Sequence, residues 1–109
     1  MGIDIYWRNE NGKDLGVVGD PQMQLSRFII SSDWPGTVCL RFIDAAGDAV
    51  LNQLQIPVFI RELETAMASA GGPIPRDHLN EVLSLAKRAK VSVTGGGVAI
   101  LCSLELRYM

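Results

Sequence analysis

An α+β fold is encoded in this chain: a mostly antiparallel sheet of about five to seven strands with two consecutive helices packed on one face. Three features predict it. Apolar and polar residues alternate at both ends of the chain, helical spacing takes over between residues 57 and 90, and Gly-, Pro- and Asn-rich breaks separate the segments. The 109 residues read as one domain, 1–109, with no repeat, low-complexity run or interdomain linker.

The first element is a strand over residues 2–8. Ile3, Ile5 and Trp7 fall on one side and Asp4, Tyr6 and Arg8 on the other. Asn11-Gly12 turns the chain, because both residues tolerate positive φ, and Leu15 to Val18 returns as the second strand of a hairpin. Gly19-Asp20-Pro21 stops it. Residues 24–31 carry apolar side chains on both faces and read as a buried strand, with a short helix as the alternative. Ser32 to Gly36 forms a turn in which Pro35 fixes φ and Gly36 takes the left-handed position. Thr37 to Ile43 alternates as a strand, Asp44 to Asp48 turns it, and Ala49 to Gln55 forms its partner.

From Pro57 the period changes. Phe59, Ile60, Leu63, Ala66, Met67 and Ala70 recur at helical spacing until Gly71-Gly72-Pro73. A second helix runs from near Pro75 to about Lys90 on a stripe of Leu79, Val82, Leu83, Ala86 and Ala89. Its acids stand early and its bases late, as the helix dipole favours. Gly95-Gly96-Gly97 joins Val91–Thr94 to a final strand, Val98 to Met109, long enough to run through the middle of the sheet.

The composition narrows the function classes. A net charge of −2 argues against broad electrostatic capture of nucleic acid. One His and two Cys cannot assemble a four-ligand Cys/His zinc site, so neither metal nor cofactor is expected. No stretch has the length of a membrane span, and the N-terminus lacks the basic and apolar regions of a secretory signal. Cys39 and Cys102 then read as reduced residues of the core or sheet, and the chain as cytoplasmic.

Catalytic constellations are thin. The glycine triplet lacks the Lys and the following helix of a phosphate loop, which leaves it a hairpin connection. Asp77 cannot orient His78, because adjacent helical residues diverge by about 100°. Neither cysteine can be given a base. These absences predict a protein that is not an enzyme.

The surfaces say more. With one sheet face covered by helices, the other exposes a mixture of arginine, tyrosine and aliphatic side chains suited to contact with protein. The residues marked for that face, as an interface or ligand face, are Tyr6, Arg8, Arg41, Ile43, Leu101 and Arg107. A homodimer or higher homo-oligomer is its simplest use, and another protein is a further possible partner. Three of these residues, Arg8, Arg41 and Arg107, would bind an anion if the strand order brought them together. The second expectation is a small-molecule module with a pocket between sheet and helices, walled by Trp7, Phe42, Phe59 and Met67. The layout also resembles small single-domain proteins that bacteria carry as accessory genes, some of which neutralise a partner protein. That resemblance implies partner binding and transfers no residues.

Overall fold

The computed structural model describes residues 2–9, 11–31, 34–43, 49–70, 72–90 and 102–108, with Arg41, Phe42 and most of the last strand described by backbone alone. The elements are β1 (Ile3–Asn9), β2 (Asp14–Val18), α1 (Gln24–Ile30), α2 (Leu40–Ile43), β3 (Ala49–Leu51), α3 (Gln55–Ser69), α4 (Arg76–Lys90) and β4 (Cys102–Tyr108). The mixed α+β class is as predicted. The strand count is not: the described residues form one sheet of four strands, in the order β2-β1-β4-β3.

The opening hairpin forms as its alternation requires. Ile3 and Ile5 are buried, β1 pairs antiparallel with β2, and Gly12 adopts φ +80° in the turn. The Asn9 side chain reinforces the turn by accepting the N–H groups of Asn11 and Lys13, each at 3.0 Å. A bulge between Trp7 and Arg8 shifts the register, so that Trp7 faces Gly16 and Arg8 faces Asp14. The last strand takes the central place foreseen for it, with β4 between β1 and β3 and antiparallel to both. The turn at residues 44–48 and the glycine hairpin through 91–98 lie outside the described residues.

The two long helices keep their predicted stripes. Phe59, Ile60, Leu63, Ala66 and Met67 of α3 are buried, as are Leu79, Val82, Leu83, Ala86 and Ala89 of α4. Burying each large side chain contributes about 1.5–3 kcal/mol, far more than helix propensity does. Helix α4 packs across β1, β2 and β4, and α3 packs chiefly against α4. Buried residues of α3 and α4 join Ile3, Ile5 and Leu106 of the sheet in a single core cluster.

Two segments read as strands hold helices: α1 is the alternative that the sequence left open over 24–31, and α2 replaces the end of the strand expected over 37–43. Over 24–30, Leu25, Phe28 and Ile29 are buried while Arg27 is exposed, a helical period that alternation cannot produce. The first turn of α1 is fixed from outside it, because the Asp20 carboxylate accepts the N–H groups of Leu25 and Ser26 at 3.0 and 3.1 Å. Over 37–43, the Glu62 carboxylate of α3 takes the N–H groups of Val38, Cys39 and Leu40, which a strand would have needed for its ladder. Leu40 and Ile43 then both point into the core, three residues apart on one helix face. The strand over Ala49 to Gln55 shortens to Ala49–Leu51 because Asn52 opens a helix.

Candidate functional site

The main concave feature of the described surface is an open groove of about 1230 Å³ between α1, the turn at 34–38, α3 and the connector at 70–75. Each wall has a local cause. On α3, Val58, Arg61, Glu62, Thr65, Ala66 and Ser69 line the groove at spacings of three, one, three, one and three residues. That is a second helical stripe, beside the one that enters the core. On α1, Gln24, Arg27, Phe28 and Ser31 supply the facing wall.

The end wall is a type II turn. Thr37 donates its N–H to the Trp34 carbonyl at 3.2 Å, Pro35 holds the first central position, and Gly36 supplies φ +82° at the second. Trp34 itself sits at φ +49°, a left-handed conformation held by two contacts of its side chain. Its indole N–H donates to the Ile29 carbonyl, and its ring packs 5.2 Å from that of Phe28 at 41°. Phe28, Trp34, Val58, Ala66, Ala70 and Ile74 thus make an apolar floor that the fold holds in place.

Three charged residues border that floor, Arg27, Arg61 and Glu62. Glu62 is committed to the structure: its two oxygens accept three backbone N–H groups at 2.7, 2.9 and 3.2 Å. Arg27 and Arg61 are exposed, stand on opposite walls, and have no ion-pair or hydrogen-bond partner among the described residues. Cys39, next to this wall, is a buried free thiol. Burial, and then the Glu62 carboxylate, push its pKa up, which keeps it protonated and weakly nucleophilic.

A second polar centre lies in the core. The buried carboxylate of Asp20 accepts the N–H of Ile3 at 3.0 Å as well as those of Leu25 and Ser26. Oδ1 also lies 3.2 Å from His78 Nε2, which lacks the alignment of a hydrogen bond. His78 is therefore placed against Asp20, not its neighbour Asp77. Among the described residues no group of three or more His, Cys, Asp or Glu is arranged to hold a metal ion.

The residues marked for the open sheet face are only partly together. Tyr6 and Arg8 lie on β1, where the Arg8 guanidinium stands 5.1 Å over the Tyr6 ring and pairs with Asp14. Ile43 is corrected outright: it is 1% exposed, in the core, because α2 has replaced the expected strand. Arg41 belongs to the same short helix, and Leu101 lies outside the described residues. Arg107 pairs with Asp4 and Ser103 with Arg8. Arg107 and Arg8 are thus four rungs apart along the ladder, about 13 Å, and Arg41 is off the sheet.

The pocket expected between sheet and helices is also relocated. Phe59 is fully buried and Met67 nearly so, both as plain core. Trp7 packs partly against that core with the Arg88 guanidinium 5.8 Å from its ring, and Phe42 has its backbone in α2. The groove is bordered by other residues than those expected to bind a ligand, and its signal in the sequence is the stripe Val58, Arg61, Thr65 and Ser69, which runs beside the core stripe of α3. No helix of the described residues is long and apolar enough to cross a membrane. No family model, curated protein or solved structure matches the chain.

Proposed function

We propose that this protein is a non-enzymatic binding module whose groove between α1, the Trp34 turn and α3 receives part of another molecule. One observation carries the reading. The partly exposed side chains of Trp34, Val58, Ala70 and Ile74 give the groove an apolar floor, while its walls are pinned by hydrogen bonds that Trp34 and Thr37 donate and Glu62 accepts. A preformed concave surface loses little conformational entropy on binding, and that is the usual build of a ligand site.

The test is a screen of neutral and anionic aromatic fragments, read by amide and indole chemical shifts. Binders are expected to shift Phe28, the Trp34 indole, Thr65 and Ile74 and to raise Tm by mass action. The exposed Thr65→Trp substitution, which fills the groove without entering the core, should remove those shifts. Fragments that bind Thr65→Trp as well as the unaltered chain, or that map to other residues, would sink the proposal.

A second reading, self-association through the open sheet face, rests on a different observation. Val17, Tyr6, Glu105 and Val50 are register partners in one rung that crosses all four strands. Val17 and Val50, at the two edges of that rung, are 57% and 61% exposed. Two exposed apolar residues at the ends of a rung whose central positions are Tyr6 and Glu105 suit packing against a second copy.

A further inference from the structure

Resting on the groove reading above, we infer that the occupant is a peptide segment of a partner protein in which acidic residues flank an aromatic or large aliphatic anchor. Size is the first argument. At about 1230 Å³ and partly open to solvent, the groove exceeds the roughly 300–1,000 Å³ of pockets that engulf a small molecule, which leaves room for a chain segment.

Charge is the second argument. The chain as a whole carries a net −2, yet among the described residues the charged ones at the groove are two arginines against one carboxylate. The carboxylate, on Glu62, is turned to the N–H groups of Val38, Cys39 and Leu40. The two guanidiniums have no partner among the described residues, and they flank the floor from α1 and α3. A carboxylate on an incoming segment would gain a forked hydrogen-bond donor from either wall. Between them, Trp34, which packs on the buried Phe28, together with Val58 and Ile74 forms the partly exposed surface that an apolar anchor would cover. The neutral polar groups around it, on Gln24, Ser31, Thr65 and Ser69, impose no opposing charge.

The probe is a display library of random peptides, panned on the unaltered protein and counter-selected on Arg27→Glu/Arg61→Glu. Both side chains are exposed and have no partner among the described residues, so the double variant should keep the Tm of the parent, and Arg27→Gln/Arg61→Gln provides a milder check. Enriched peptides are expected to carry Asp or Glu close to an aromatic or large aliphatic residue. Their synthetic versions should bind at least about tenfold more weakly to the charge-reversed variant, and more weakly as salt rises. Peptides without acidic residues, or equal affinity for both proteins, would overturn the inference. Failure to enrich any peptide while neutral fragments still shift the groove would overturn it and leave the binding-module reading standing. Silence from both peptides and fragments would remove both.

Discussion

Asp20 has no exposed side-chain surface, yet it joins three parts of the chain. Its carboxylate holds the start of β1 through Ile3 and the start of α1 through Leu25 and Ser26, and it faces His78 on α4. Burial alone would raise its pKa. The three N–H donors and the His78 ring outweigh that, and the net result lies below the ordinary carboxylate value. A depressed folded-state pKa contributes stability that is fully present above the unfolded-state value and lost as pH falls through the folded one. Asp20→Ala, which strands the buried donors, should lower the unfolding free energy by about 3 kcal/mol in urea titrations at neutral pH. Asp20→Asn isolates the charge. Its stability deficit against the parent should shrink as pH is lowered towards about 3, and parallel curves over that range would disprove the linkage. Close packing limits the same neighbourhood, since a Cβ on Gly2 would collide with the backbone oxygen of Asp20.

At the scale of elements, the clearest new feature is the start of α3. Asn52 Oδ1 accepts the N–H groups of Leu54 and Gln55 at 2.9 and 3.0 Å, and Gln55 Oε1 accepts that of Asn52 at 2.9 Å. This is a reciprocal capping box, built from Asn and Gln at the spacing the motif requires. It explains why the helix begins ahead of Pro57, which keeps its place in the first turn. Asn52→Ala should cost about 1 kcal/mol in equilibrium unfolding, whereas Asn52→Ser should recover most of that loss. Equal stability of the two variants would show that tertiary packing alone sets this terminus. The groove wall depends on the same helix, because Glu62 lies nearly three turns beyond Asn52 and holds α2.

The whole molecule has one sheet face covered by α4 and edge strands at β2 and β3. Exposed valines at both edges make self-association a question of the intact domain, not of any single element. If the sheet face pairs with a second copy, Val17→Asp with Val50→Asp should shift the mass seen by light scattering from dimer to monomer at unchanged Tm. A parent protein that is monomeric at all concentrations would end that reading without touching the groove. The groove and the sheet face use different residues, so their variants should act independently.

Local periodicity was sufficient wherever neighbouring residues alone decide which side is buried. The alternation of Ile3, Ile5 and Trp7, the turn at Asn11-Gly12, the turn at Pro35-Gly36 and the two helical stripes were all legible in the sequence. So was the central position of the last strand, of which Cys102–Tyr108 lies among the described residues. The helix at 24–30 was legible only as the alternative to a strand, and that at 40–43 was not legible. Both are short, apolar on more than one side, and dependent on carboxylates remote from their own pattern, Asp20 and Glu62. The groove was hidden for the same reason: its floor and its two arginines come from segments that meet only once those carboxylates have bent the chain. Side-chain period determines burial within a segment, but the partners of its terminal N–H groups are a tertiary matter, and here they decided between strand and helix.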